Sequence, residues 1–165
     1  MKAISLWQPW ASAMEIGAKT IETRGWATKY RGPLAIHAAK RCKKQETLWM
    51  LASDWVWKGI FKVSGEDVPT SGDILGALPF GRIIAVANLI DCVGTDSLLD
   101  ADVLTANGHR EAALGDYSPG RYAWMTDNLR QLRKPIPWKG SQGFFNVPDD
   151  IINQVGFVEK GKERL

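Results

Sequence analysis

The sequence predicts an α+β protein built as a small, partly open β-barrel with helices on its outside. Three observations lead there. Five or six short runs alternate apolar and polar residues with the period of two that a half-buried strand requires. The stretches between them are unequal, so helices do not alternate regularly with strands as a βαβ sheet demands. One run, residues 81–94, is long, rich in β-branched residues and bounded by Gly81 and Gly94, as a central strand buried on both faces would be.

The elements follow in order. Strands are expected at residues 2–6, 20–25, 33–39, 81–94, 121–130 and 143–147. Between the first two, Pro9 stands near a first helical position and Gly17 just past the end of a short helix. Trp10, Ala13, Met14 and Gly17 share its inner side at three- and four-residue spacing. In the 33–39 strand, Leu34, Ile36 and Ala38 face one way and Ala35, His37 and Ala39 the other. Leu48, Leu51, Ala52 and Trp55 give one face of a further helix, and Thr95 or Asp96 caps another running through Leu104. Residues 59–79 and 107–120 read as loops, long enough to offer a surface to a protein partner. Pro135 and Pro137 make their stretch an edge strand or an extended loop. Asp149 or Asp150 caps the last helix, ahead of a charged tail.

Length and composition bound the function. With 165 residues and 45% hydrophobic content the chain suits one well-buried domain. The net charge of +3 is small, but residues 1–62 carry 11 Lys+Arg against 4 Asp+Glu, and residues 63–117 carry 2 against 9. One basic face and one acidic face follow if the fold keeps these segments apart. No apolar run is long enough for a signal peptide or a membrane span, and Cys42 and Cys92 read as free thiols, so a cytoplasmic location is expected. No metal-ligand set, phosphate-binding loop or nucleophile elbow is present, so neither a metal nor a cofactor is expected.

The residues that carry chemistry lie in Gly17-Ala18-Lys19-Thr20-Ile21-Glu22-Thr23-Arg24. In an extended chain Thr20, Glu22 and Arg24 share a face, with Ile21 and Thr23 opposite. Lys19 at the strand entrance can swing to either side. The three charges are either a surface ion-pair set or a cleft walled by Trp7, Gln8 and Trp10. In a cleft, Lys19 would add little packing, and Lys19→Met would leave the melting temperature nearly unchanged. His37 reads as a hydrogen-bonded structural residue or as a ligand contact. Lys40, Arg41, Lys43 and Lys44 form either a solvated helix start or a phosphate-contact surface.

Three features together resemble the ASCH (activating-signal cointegrator homology) domain of the PUA-like superfamily. They are Gly17-x-Lys19-x-x-Glu22-x-Arg24; the preceding Ile4-Ser5-Leu6-Trp7-Gln8-Pro9-Trp10; and Tyr122-Ala123-Trp124 followed by Pro135-Ile136-Pro137 and Gly140 to Phe144. The resemblance implies a single PUA-like domain over residues 1–165, with additions at 42–79 and 95–118. It implies a cleft where the signature meets the first helix, and RNA-related roles. It also implies that a hydrolase is an alternative, because some members resemble ribonucleases and a small-protein branch is an amidohydrolase acting on N4-acylated cytidines. That branch has the equivalent of Lys19 but a threonine where this chain has Glu22.

Two functions remain to be separated. A binding module uses Trp7, Trp10, Trp26 and Tyr122 to stack a base of RNA or of a nucleoside or nucleotide, with the basic segment on phosphates. An enzyme uses Lys19 and Glu22 as a proton-transfer pair, Thr20 and Thr23 beside them, and Arg24 on an oxyanion. Binding is the favoured reading.

Overall fold

In the computed structural model, which describes residues 1–41, 75–99 and 108–159, period-two alternation decides which side chains fill the barrel. β1 (Lys2–Leu6) turns Ile4 and Leu6 inward, and β3 (Gly32–Ala38) adds Leu34, Ile36 and Ala38. Ala3 and Ala35 face out, against Val147 and Ile152. β4 (Arg82–Gly94) contributes Ile84, Ala85 and Leu89 to the interior, and β5 (Tyr122–Pro137) contributes Trp124. β2 (Ile21–Arg24) and β6 (Phe144–Asn146) are short.

These strands form one six-stranded sheet in the order β2-β5-β4-β3-β1-β6. Only β1 and β3 run parallel; every other neighbouring pair is antiparallel. Three register shifts between β4 and β5 and one between β3 and β4 bend the sheet. It curls into a half-barrel whose end strands approach each other. Arg24, at the end of β2, donates from Nη2 to the Ser5 carbonyl of β1 at 2.7 Å. Trp26, just past β2, meets Phe144 of β6 edge to face at 5.4 Å between centroids, and Trp124 at 4.5 Å.

Four helices lie wholly among the described residues, and residues 75–77, in the 59–79 stretch expected to be a loop, are helical as well. α1 (Trp10–Glu15) lies against β3, β4 and β5, and places Ala11 and Met14 in the barrel core. Burying a side chain the size of Met14 stabilises the fold by about 1.5–3 kcal/mol. α2 (Thr95–Leu99) sets Leu98 over Ile21 and Ala123. α3 (Gly108–Ala113) lies in a stretch expected to be a loop. α4 (Asp149–Val155) covers the outer face through Ile152.

The prolines behave as their chemistry requires. β5 extends past its expected end at 130 to Pro137, yet β2 pairs only with residues 122–125 of it. Beyond that point β4 is its only strand partner among the described residues, apart from a single bridge from Leu132 to Phe157, so Pro135 and Pro137 stand on an edge. Charge segregation along the chain does not carry over to space. Glu111 and Asp116 of the acidic segment bond to residues 20–23 of the basic one, and Arg31 pairs with Asp91 at 2.8 Å. The helix expected around Leu48 to Trp55, the end of the helix through Leu104, Cys42, Lys43, Lys44, the 59–79 stretch as far as residue 74 and the tail from 160 lie outside the described residues.

Candidate functional site

Gly17 creates the site by ending α1 at φ +76°, a left-handed conformation that glycine adopts without steric penalty. The N–H groups of Ala18 and Lys19 both return to the Ala13 carbonyl, at 2.9 and 3.1 Å, so the chain folds back sharply before entering β2. Lys19 therefore points inward and is only 1% exposed. Its ammonium reaches the carbonyls of Ile21 and, at 2.8 Å, Leu114, with Glu22 Oε2 at 3.5 Å. Two carbonyl acceptors and a carboxylate at ion-pair distance are what allow a buried amine to be tolerated. The premise behind a thermally silent Lys19→Met, a cleft cation that adds little packing, does not hold, because the side chain is buried and bonded to the backbone.

Glu22 lies between two cations. Its Oε2 faces Lys19, and its Oε1 is 3.0 Å from Arg24 Nε, an ion pair without the alignment of a hydrogen bond. Lys19, Glu22 and Arg24 then form the floor of a cavity of about 520 Å³, with Trp7, Trp10, Trp26 and Thr23 also in its lining. Trp7 is 44% exposed and Trp26 38% exposed, so both indoles reach solvent.

The other expected residues lie elsewhere. Gln8 is fully buried and structural: Nε2 donates to the Pro79 carbonyl at 2.9 Å, and Oε1 accepts from Ser12 N in α1. Tyr122 packs at the edge of the core and is not in the cavity lining. His37 lies on the outer face of β3, where Nε2 donates to the Trp138 carbonyl at 3.1 Å and Nδ1 faces Ser5 Oγ at 3.0 Å. It is 2% exposed, and burial pushes its pKa down while the Trp138 carbonyl offsets part of that. Lys40 and Arg41 are exposed at the end of β3, beside the end of β1 that leads to Trp7.

Another wall comes from Ala113 to Asp116, in a stretch where the sequence offered no periodic signal, and from Arg121 at the entrance to β5. Buried Glu111 accepts from Thr20 N at 2.8 Å, Thr20 Oγ1 at 3.0 Å and Ile21 N at 3.0 Å, and so clamps the start of β2. Thr20 is committed to that clamp. Tyr117 adds a longer bond to Glu111, and its pKa is pushed up by burial and by the Glu111 charge. Thr23 Oγ1 accepts from Asp116 N at 3.2 Å. Arg121 donates from Nη2 to the Thr23 carbonyl at 3.2 Å and from Nε to the Asp116 carbonyl at 3.0 Å, with the Asp116 carboxylate at 3.3 Å. Ser118 holds that carboxyl below its usual range, chiefly through its hydroxyl. Among the described residues no group of three His, Cys, Asp or Glu side chains is placed to hold a metal ion, and no helix is long and apolar enough to cross a membrane.

Comparison with known proteins supports the resemblance. The family model described as ASCH domain matches residues 4–135. Activating signal cointegrator 1 of Mus musculus and of Homo sapiens are each 35% identical over 149 residues, 90% of this chain and 22% of theirs. The chain thus spans about a fifth of the length of the curated relatives it matches. The crystal structure of ASCH from Zymomonas mobilis superposes with a TM-score of 0.53 at 16% identity, covering 90% of this chain and 88% of that one. A variant of the same Zymomonas mobilis protein superposes with a TM-score of 0.54 at 16% identity, covering 94% and 96%. At these identities the likeness shows the fold alone, an α+β half-barrel shared with the ASCH structures.

Proposed function

Because the chain belongs to the ASCH domain family, we propose that it is a nucleic-acid-related binding module whose cavity takes a nucleobase with its sugar, either free or within RNA. The observation that carries this reading is the saturation of the motif. Lys19 donates to two backbone carbonyls and is paired with Glu22, and both Glu22 oxygens face a cation. A general acid or base must reach the proton that it transfers. Here the two candidates are engaged with each other and with the backbone, and Thr20 is engaged with Glu111. The triad serves as a rigid polar floor beneath Trp7 and Trp26, whose exposed faces suit stacking. A volume of about 520 Å³ lies within the usual range of small-molecule sites. Lys40 and Arg41, exposed beside the end of β1, are in place to meet the phosphates of a longer strand.

The test is to titrate the full chain with nucleosides, N4-acylated cytidines and short single-stranded RNA by tryptophan fluorescence, and to assay the same mixtures for released product. Binding without turnover is expected, and Trp7→Ala should weaken it by roughly 5- to 100-fold, the scale of one base–aromatic stack. Product release that drops by about 10²-fold or more in Glu22→Gln while binding persists would establish a hydrolase instead.

A further inference from the structure

Two arginines enter the cavity in the same way. Arg24 has Nε against the Glu22 carboxylate at 3.0 Å and Nη2 on the Ser5 carbonyl at 2.7 Å. Arg121 has Nε on the Asp116 carbonyl at 3.0 Å, with its carboxylate at 3.3 Å, and Nη2 on the Thr23 carbonyl at 3.2 Å. Each guanidinium is thus anchored through Nη2 on a backbone carbonyl with Nε beside a carboxylate, hydrogen-bonded at Nε only in Arg121, and keeps Nη1 as its remaining nitrogen. Both residues line the cavity, and both side chains are partly exposed, at 24% and 29%. Such fixed forks lose little freedom on binding an anion, and they match the oxygens of a phosphate.

The charge balance points the same way. Lys19, Arg24 and Arg121 face Glu22 and Asp116 around the cavity, a surplus of one positive charge. Lys19 is buried, so its field is screened less by salt than that of a surface lysine. The two carboxylates are held by the arginines themselves, which leaves the excess charge to a ligand.

We infer that the cavity selects a phosphorylated nucleoside, with the phosphate monoester held between Arg24 and Arg121 and the base against the exposed indoles. This rests on the binding reading above and adds the anionic group to it. Arg121 is the specificity-determining residue. It stands outside the signature, and the signature residues do not depend on it for their mutual contacts.

The experiment compares the four ribonucleoside 5′-monophosphates with their parent nucleosides on the full chain, using inorganic phosphate as competitor and repeating the titrations at two salt concentrations. The monophosphates are expected to bind at least tenfold more tightly than the nucleosides, with a preference that shrinks as salt rises. Arg121→Gln should bring the two affinities to within about twofold, and Arg121→Lys, which keeps the charge and loses the fork, should retain only part of the preference. Equal wild-type affinities for nucleoside and monophosphate, or a preference unchanged in Arg121→Gln, would overturn the inference and leave the binding reading standing. If Arg121→Gln does not fold, the wild-type affinity ratio and its salt dependence decide. Failure of nucleosides and nucleotides alike to bind would sink both. RNA with a 5′-phosphate binding as tightly as the monophosphate would assign the pocket to strand ends; binding of the mononucleotide alone would assign it to the free nucleotide. Either result upholds the phosphate site.

Discussion

Lys19 and His37 are both buried with their polar atoms partnered, and Ser5 lies between their surroundings: it touches His37 directly and reaches Lys19 only through Arg24 and Glu22. The Ser5 carbonyl takes Arg24 from the cavity side, while its hydroxyl faces His37 Nδ1 on the other. What differs is the space next to each. Beside Lys19 a cavity remains, bordered by guanidiniums and exposed indoles. Beside His37 there is no room: a Cβ on Gly140 would lie 2.4 Å from His37 Cε1 and 2.6 Å from Ser5 Oγ. Satisfying a buried polar group is a condition of folding and says little about function. Partly exposed cations facing an open cavity say more.

The comparison is broken most severely at Lys19. Lys19→Met leaves the Ile21 and Leu114 carbonyls and one side of Glu22 without their donor. Removing one partner of a buried charged set costs about 3–5 kcal/mol. In a chain of 165 residues that lowers the melting temperature by roughly 10 °C, at about 2–4 °C per kcal/mol. Thermal denaturation followed by circular dichroism measures it, and a shift under 2 °C would mean that the ammonium is not committed to the backbone as described.

Gly140→Ala should have the next largest effect. The new methyl group meets an imidazole held at both nitrogens, so neither can move freely. Overpacking of this kind costs about 1–3 kcal/mol, a loss of several degrees. Ligand affinity measured well below the transition should stay within twofold of wild type. A larger loss would show that Ser5 couples the two sides.

The sequence makes much of this legible where the signal is local. Alternation in Leu34–Ala38 sorts inner from outer residues, Gly17 marks the turn after α1, and the spacing of Lys19, Glu22 and Arg24 brings one charged group together. Signals that depend on long-range pairing are not legible. Whether β5 stops at residue 130 or continues through two prolines depends on which of its edges β2 leaves free. The wall residues Leu114 and Asp116, with Glu111 clamping β2 behind them, come from a stretch without periodicity, and their partners lie about 90 residues earlier in the chain. The depth of Lys19 is illegible for the same reason, because the Leu114 carbonyl that completes its shell belongs to that wall.

The smallest expected effect is a pH dependence specific to the His37 side. Burial lowers the His37 pKa from its ordinary 6.5, and the Trp138 carbonyl offsets only part of this. The unfolded chain therefore binds a proton at a higher pH than the folded one does. Between the two values the unfolded state holds more protons, so stability rises with pH across that window. The contribution of the neutral imidazole is complete above about pH 6.5 and is lost as pH falls through the lowered folded value. Chemical denaturation of wild type and His37→Asn between pH 5 and 8 isolates it, since carboxylates common to both proteins cancel in the difference. Wild type should lose more stability than the variant on acidification, and equal slopes would mean that His37 is not held neutral by its surroundings. Base-stacking affinity in the cavity should not follow this titration, because His37 contributes no atom to the lining. If it does follow, the Ser5 hydroxyl and carbonyl transmit the protonation state across the sheet, and the two regions act as one.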